Sequence, residues 1–374
     1  MKCARPARFG CILPCFGRLL VQRFYNFTRF DLESWLDQRG RSRAHALTLL
    51  RGFYKQNGGE PALGSLGPEL RQAITTEFSY DLPVIDACRE SAYDGAVKFG
   101  MRLSDGAVVE TVLMPESARI TVCLSSQVGC AQGCVFCHTG RMGLSRNLVA
   151  DEIVGQVVAA ERWILANPAW LERARLPRGS RVTNLVFMGM GEPCDNAAEV
   201  NRAISIFRDP MAFNLTLRRI SVSTAGHLDG LRAITAAHPE VSLALSLHAT
   251  NNEQRSRIMP INRRWPIDVV LGYLRAHYNE GGAGRVLLVQ YTVINGVNDR
   301  REDAIALAQL LADLPVKINL IPLNEISVSR LASPTPARLE AFRDSLYQAG
   351  FRVMVRYSKG QDITAACGQL ALQG

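Results

Sequence analysis

The chain has 374 residues, 47% hydrophobic and 21% charged, with 30 Gly and 17 Pro. That is the make-up of an ordinary globular protein of two to three domains, which excludes a peptide hormone, a disulfide miniprotein, a coiled coil and a disordered tail. Lys and Arg outnumber Asp and Glu by 43 to 34, and the excess is local: residues 1–55 hold eleven basic side chains against Asp31, Glu33 and Asp37. Such a concentration marks either a surface that meets phosphate or a solvated arginine-rich helical face.

Residues 1–20 start basic and then turn mildly apolar, loosely like a signal peptide. Pro14 and Arg18 interrupt the apolar stretch and no small-residue cleavage site follows, so they read as a basic extension, and the cytoplasm is the expected location. No uninterrupted apolar run approaches the roughly 18 residues of a membrane helix, so no membrane partner is expected. From 31 to about 56, Leu32, Trp35, Leu36, Ala46, Leu49, Leu50 and Phe53 recur at helical spacing with arginines between them. Asn57-Gly58-Gly59-Glu60-Pro61 breaks the pattern, and 69–77 resumes it just after Pro68. Residues 21–93 therefore read as a small helical accessory domain. From 94 to 113 the pattern becomes short and alternating, as in a hairpin, and 94–118 reads as a hairpin linker.

After Arg119, β-branched runs alternate with amphipathic stretches of ten to sixteen residues. Strands are predicted at 120–124, 184–188, 220–223, 241–247, 287–293, 317–321 and 352–356. Helices are predicted at 150–165, 196–207, 266–278, 302–314 and 336–349. This alternation specifies an α/β core over 119–374, with a parallel sheet and helices outside it. Six or seven units are too few for a closed eight-stranded barrel, so an open, partial (β/α)6-type barrel is expected.

Ten cysteines are present, and three fall within eight residues: Cys130-Ala131-Gln132-Gly133-Cys134-Val135-Phe136-Cys137. A tetrahedral zinc site needs four ligands and no close fourth cysteine exists, leaving His138 as the only local candidate. A cubane iron-sulfur cluster held by three thiolates keeps one iron open to a substrate or cofactor. The other candidates have bland readings of their own. Gly191-Glu192-Pro193 closes a predicted strand, where parallel sheets bind ligands and where Glu192 and backbone carbonyls can accept hydrogen bonds from an ammonium group. Ser223, Ser246 and Asn324 stand at or near strand ends, positions also used by helix caps. His248 follows an apolar strand, the usual setting of a satisfied buried histidine. On composition alone Cys367 is a buried small residue, Cys123 a core cysteine and Glu110 an exposed hairpin carboxylate. Arg356 and Lys359 are equally suited to solvation and to phosphate.

The three-cysteine pattern resembles the radical S-adenosylmethionine (SAM) superfamily, and the surrounding text resembles its RlmN/Cfr family of RNA adenine methyltransferases. The similar stretches run in order from about residue 95 to the C-terminus: Cys123-Leu124-Ser125-Ser126-Gln127-Val128-Gly129-Cys130, Phe187-Met188-Gly189-Met190-Gly191-Glu192-Pro193, Ser223-Thr224-Ala225-Gly226, Ser246-Leu247-His248-Ala249, Pro260-Ile261-Asn262, Asn319-Leu320-Ile321-Pro322-Leu323-Asn324 and Asp362-Ile363-Thr364-Ala365-Ala366-Cys367-Gly368-Gln369-Leu370. The resemblance implies a 4Fe-4S cluster on Cys130, Cys134 and Cys137, and SAM contacts from Gly191, Glu192, Ser223, Ser246, Leu247, His248 and Asn324. An adenine ring carbon is not nucleophilic, so direct displacement on SAM fails and a radical route is needed. In the family two SAM molecules are spent per turnover, one to methylate Cys367 and one to activate that methyl group for addition to the ring. Glu110 matches the family's proton acceptor, and Cys123 the thiol that frees the product through a transient disulfide with Cys367.

The implied activity is methylation of an adenine ring carbon, C2 favoured over C8, in 23S rRNA and in tRNA. The basic N-terminal unit is the expected RNA-docking module. A low-potential electron donor such as flavodoxin or ferredoxin is required, and a monomer is expected. The rival readings are Cfr-like C8 methylation, a radical-SAM enzyme on another substrate with Cys367 structural, and a non-catalytic RNA-binding protein. Two departures bear on the subfamily: Cys137-His138-Thr139-Gly140 lies closer to the Cfr pattern, and Cys194 replaces the usual aliphatic residue after Gly191-Glu192-Pro193.

Overall fold

The computed structural model describes residues 21–55, 63–280, 285–327 and 329–371. The basic extension at 1–20 and the breaker at 57–61 lie outside the described residues. Two short strands, β1 (Gln22–Arg23) and β2 (Phe78–Ser79), pair in parallel and frame the N-terminal unit. Its helices Arg29–Asp37, Ala44–Lys55 and Pro68–Glu77 close on an aromatic cluster in which the Phe24 and Phe53 rings lie 4.0 Å apart and Trp35 meets Phe78 edge-on. Thr28 caps the first helix, its hydroxyl accepting from the Asp31 amide while the Asp31 carboxylate accepts from the Thr28 amide.

The remaining strands are β3 (Val84–Glu90), β4 (Val97–Arg102), β5 (Val108–Glu116), β6 (Arg119–Cys123), β7 (Gln127–Cys130), β8 (Gly143–Asn147), β9 (Asn184–Phe187), β10 (Ile220–Thr224), β11 (Ser242–Ser246), β12 (Leu287–Val293), β13 (Val316–Pro322) and β14 (Arg352–Val355). Ten of them form one sheet in the order β14-β13-β12-β11-β10-β9-β6-β5-β4-β3. From β6 to β14 every neighbouring pair is parallel, and β3, β4 and β5 extend the sheet antiparallel beyond β6. The sheet keeps two free edges, β14 and β3, and so is an open, partial barrel, as the count of units requires. The alternating segment after residue 94 forms the expected hairpin, β4 to β5, and is continuous with the main sheet. Leu185, Ile220, Val222, Leu287, Val289, Tyr291, Ile318 and Leu320 are fully buried between the sheet and its helices, while polar residues such as Ser223, Gln290 and Asn319 alternate with them on the other face.

Thirteen of the seventeen residues in the helix Ala150–Ala166 are buried. It is covered on both sides because the N-terminal unit packs over its outer face, where Arg162 donates to the Tyr25 hydroxyl at 3.2 Å. The polar residues trapped there are paired: Glu152 with Arg146 at 2.8 Å, Asp151 with Arg23 at 3.0 Å, Glu161 with Arg181. Ion pairs take up much of the described basic surplus, three within the unit and two across to the core. Of the described basic residues up to position 55, Arg23, Arg29, Arg39, Arg41 and Arg43 all pair with carboxylates. Their charge is thus largely neutralised at short range.

Burial outweighs Arg23 at Asp151 and pushes its carboxyl up to about 6. A folded-state value above the unfolded one means that Asp151 contributes most stability below about pH 4 and loses it as pH rises through about 6. Asp151→Asn, which keeps an acceptor for Arg23, is expected to match wild type in unfolding free energy at pH 4. Above pH 6 it should exceed wild type by up to about 3 kcal/mol. Denaturant titrations at both pH values check this.

Candidate active site

The cluster loop is held by a hairpin the sequence pattern does not announce. β7 and β8 pair antiparallel with Cys130 opposite Gly143, so Cys130 ends one strand and Cys134 and Cys137 lie on the loop between them. The short helix His138–Met142 leads back into β8. All three thiols face one open cavity, at the carboxyl ends of the parallel strands, with an empty volume of about 990 Å3. That is the location expected of a ligand site in a parallel α/β sheet.

Gly191, Glu192, Ser223, Ser246, His248, Asn324 and Cys367 share this wall. Gly191 is there by necessity: its φ is +98°, and a Cβ would lie 2.6 Å from the Cβ of Gln127. Glu192 bridges two strand ends, its carboxylate accepting from the amides of Cys194 at 3.1 Å and Ala225 at 2.7 Å. Burial pushes its carboxyl up to about 7. The backbone amide of Cys194 makes this contact whatever the side chain, and the Cys194 thiol adds a hydrogen bond of its own to Glu192. Ser223 and Ser246 donate to the Gln290 side-chain oxygen at 3.1 and 3.3 Å. His248 is both the satisfied buried histidine and a cavity residue. Its Nδ1 accepts from the Thr292 amide at 2.8 Å, which leaves the ring proton on Nε2, and burial pushes its pKa down to about 3, so the ring is neutral.

Leu247 does not line the cavity. Strand alternation turns its side chain into the core between Ser246 and His248, and it contributes only backbone bonds, donating to the Gln290 carbonyl at 3.0 Å. Glu110 also lies off this wall, and it is not an exposed hairpin carboxylate. It is 3% exposed, 2.9 Å from the Lys98 ammonium, and accepts from the Ala371 amide at 2.7 Å. Cys123 lies on a second, narrow cavity, which it shares with Met188, Gln290, Arg356, Lys359 and Cys367. Its thiol is pushed up to about 12 by burial.

Cys367 therefore belongs to both cavities and is exposed where composition alone suggested burial. The C-terminal segment that carries it is tied down on all sides. The His138 amide donates to the Gly368 carbonyl at 2.7 Å, the Thr139 hydroxyl to the Leu370 carbonyl at 2.6 Å and the Asn324 side chain to the Cys367 carbonyl at 3.1 Å. Gly368, at φ +83°, would put a Cβ 3.1 Å from the Phe136 carbonyl, so a side chain there would be strained and would crowd the cluster loop. Arg356 and Lys359 sit at the second cavity, and Lys359 already donates to the Pro115 carbonyl at 2.6 Å.

Two residues at the site gave no usable signal in sequence or a weak one. Gln290 is polar in an otherwise apolar strand, a cue that was readable. Arg255, in the polar helix Asn252–Ile258, is 1% exposed beneath the cavity. It donates to the carbonyls of Leu247 at 3.0 Å, Ala225 at 2.6 Å and Ser246 at 2.9 Å, and to the Asn262 oxygen at 3.1 Å. It thereby pins the ends of β10 and β11. Arg255→Met removes these donors and leaves buried carbonyls unpaired, and is expected to lower the unfolding free energy of the cofactor-free protein by about 3 kcal/mol or more, read by denaturant titration.

The donor set fits a cubane cluster. Cys130, Cys134 and Cys137 are free thiols that burial holds above their usual pKa, with Cys130 pushed up to about 12, so they must shed protons to a metal. Amide donors are already aimed at the sulfurs, from Gln132 to Cys130 and from Thr139 and Gly140 to Cys137. Among the described residues, no three His, Cys, Asp or Glu side chains converge to hold a single metal ion, as the zinc alternative through His138 requires.

A profile of the Radical SAM superfamily matches residues 124–308. The dual-specificity RNA methyltransferase RlmN of Desulfotalea psychrophila is 45% identical over 292 residues, 78% of each chain. The chain belongs to the RlmN family of radical-SAM methyltransferases. The RlmN of Bdellovibrio bacteriovorus is 37% identical over 348 residues, covering 93% of this chain and 83% of its own. A radical SAM methyltransferase from Sphaerobacter thermophilus, known from its crystal structure, superposes with a TM-score of 0.84 at 39% identity, over 93% of this chain and 99% of the other. Membership in the RlmN family carries RNA methylation by radical-SAM chemistry, and with it SAM and a 4Fe-4S cluster. Among the described residues no helix is long and apolar enough to cross a membrane.

Proposed function

We propose that the protein methylates an adenine ring carbon of RNA, C2 in preference to C8, with Cys367 as the carrier of the methyl group. The observation that carries this reading is that Cys367 stands on the shared wall of the cavity holding the three cluster cysteines and the cavity holding Cys123. A thiol there can take a methyl group on one side and be attacked by a second thiol on the other. The relatives bear the name dual-specificity RNA methyltransferase RlmN; we read the two specificities as 23S rRNA and tRNA, and the preference for C2 rests on the resemblance of the motifs.

Cys130, Cys134 and Cys137 would hold the cluster, and Glu192, Ser223, Ser246, His248 and Asn324 would line the SAM subsite. Gly191 there gives the backbone close approach, and Leu247 contributes only through its backbone. When bound, cluster and SAM supply a methyl donor and a one-electron route to a carbon radical, at one SAM for each. The chain's own groups do the rest. Cys367 accepts the methyl group as a thiolate and presents it to the ring carbon. Glu110 takes the proton the ring carbon sheds once the carbon bridge has formed. Cys123 attacks the Cys367 sulfur as a thiolate, so that an S–S bond forms as the S–C bond breaks; the carbon leaves with that electron pair and takes up a proton to complete the methyl group, and a dithiol reopens the disulfide. Arg356 and Lys359 flank the second cavity as phosphate contacts. The N-terminal unit is the RNA-docking module in this reading, with Arg51 and Arg71 among its exposed basic side chains. We place the enzyme in the cytoplasm as a monomer supplied with electrons by a flavodoxin or ferredoxin.

The test is anaerobic reconstitution with iron and sulfide, followed by incubation with SAM, dithionite and 23S rRNA and mass spectrometry of the digested nucleosides. 2-Methyladenosine is the expected product. 8-Methyladenosine would move the assignment to C8, and no methyladenosine would overturn the reading.

A further inference from the structure

We propose that Lys98 is a positioning residue that couples Glu110 to the segment carrying Cys367, so that the charge on Glu110 decides how firmly that segment is held. This rests on reading Glu110 as the proton acceptor. Lys98 lies on β4 and Glu110 on β5, on the same face, with Gly100 directly opposite Glu110 in the ladder. From two positions along the same face, Lys98 reaches diagonally across the ladder to Glu110. Its ammonium lies 2.9 Å from Glu110 Oε1, 3.0 Å from the Thr364 hydroxyl and 3.3 Å from the Thr364 carbonyl. Its three protons thus divide between the carboxylate and a residue three positions before Cys367. On the far side of Cys367, Glu110 Oε2 accepts from the Ala371 amide at 2.7 Å. One buried ion pair, with both partners under 6% exposed, therefore grips the segment at both ends. Thr364 itself has φ +53°, a left-handed conformation that a β-branched residue keeps only when its surroundings hold it there.

The consequence follows from charge. Lys98 keeps Oε1 fixed while Oε2 exchanges the Ala371 amide for the ring proton. When the ring C–H bond breaks, its electron pair stays in the ring and the O–H bond forms on Glu110. The buried pair passes from neutral to a net single positive charge. Lys98 loses its counter-ion and Ala371 loses a charged acceptor, and a hydrogen bond to a charged group is about twice as strong as one to a neutral group. The grip on the segment weakens at the step after which the product has to leave.

Hydrogen exchange on the anaerobically purified holoenzyme tests this, beside loss of deuterium from 23S rRNA labelled at the reacting adenine carbon. Lys98→Met is expected to raise exchange across 364–371 about tenfold, without raising it in β9 to β12, and to slow deuterium loss about tenfold. Lys98→Arg should restore both in part, and Thr364→Val should loosen the segment by a smaller factor. Glu110→Gln should loosen it before any RNA is added. Unchanged exchange at 364–371 in Lys98→Met and Thr364→Val, or an equal rise throughout the sheet, overturns the proposal. If Lys98→Met does not fold, unchanged exchange in both Thr364→Val and Glu110→Gln overturns it. Deuterium loss at the wild-type rate in Glu110→Gln would instead remove Glu110 as the base, leaving the grip to be judged by exchange alone.

Discussion

Cys367→Ala is expected to abolish methyladenosine formation, by a factor of about 1,000 or more, while leaving iron content and thermal stability at wild-type values. The separation of effects comes from the way the segment is anchored. Gly368 and Leu370 are held through backbone carbonyls by His138 and Thr139, and Cys367 through its own carbonyl by Asn324. None of these contacts uses the Cys367 side chain, and its thiol is exposed. Losing one exposed sulfur costs little folding energy, yet it removes the atom on which the methyl group would travel. Cys123→Ala provides the contrast. With Cys367 intact but nothing to attack its sulfur, RNA should remain covalently bound to the protein, seen as a species of raised mass resistant to denaturation. Product formation at more than about a tenth of the wild-type rate in Cys367→Ala would show that this cysteine is structural and that another radical-SAM chemistry is at work.

The repetitive part of the fold was legible in the sequence and the singular parts were not. Residues 287–293 were predicted as a strand and β12 spans Leu287–Val293, because a short, mostly apolar and β-branched run suits a strand covered on both faces. The same logic located β6, β9, β10, β11, β13 and β14 to within two residues at each end. The β7/β8 hairpin was hidden because its strands are four and five residues long, polar or glycine-rich, and separated by the cluster loop. The helices Leu228–Ala237 and Asn252–Ile258 were also missed, the second being polar on nearly every face but the one that buries Arg255. At the site, cysteine spacing alone singled out Cys130, Cys134 and Cys137, which the fold turns to one cavity. Glu110 was misread on composition because its partner is twelve residues back in sequence on the neighbouring strand, a pairing that only the ladder register creates. Cys367 was misread for a related reason. Ala-Ala-Cys-Gly is the text of a buried turn, but here the segment crosses the open mouth of the barrel and turns the thiol toward two cavities.

Replacing Cys130, Cys134 and Cys137 together by Ala is expected to take the anaerobically purified protein from about four irons per chain to essentially none, and to remove the broad absorbance near ~400 nm. The fold should persist through this change. The loop lies outside the ten-stranded sheet, closed by β7 and β8 and braced by the Val135 amide on the Ile258 carbonyl at 3.0 Å. Burial already holds the three thiols above their usual pKa, so without metal they sit as neutral groups whose loss leaves no unpaired charge. The circular dichroism spectrum and cofactor-free melting temperature should therefore stay close to wild type. One zinc per chain in the wild type, colourless and lost in the variant, would sink the cluster assignment. Single substitutions sharpen the point. Each should abolish methylation as fully as the triple change, since a cubane needs all three thiolates to keep just one iron open, whereas His138→Ala should leave iron content unchanged. Loss of metal in His138→Ala would instead bring back a three-cysteine, one-histidine site.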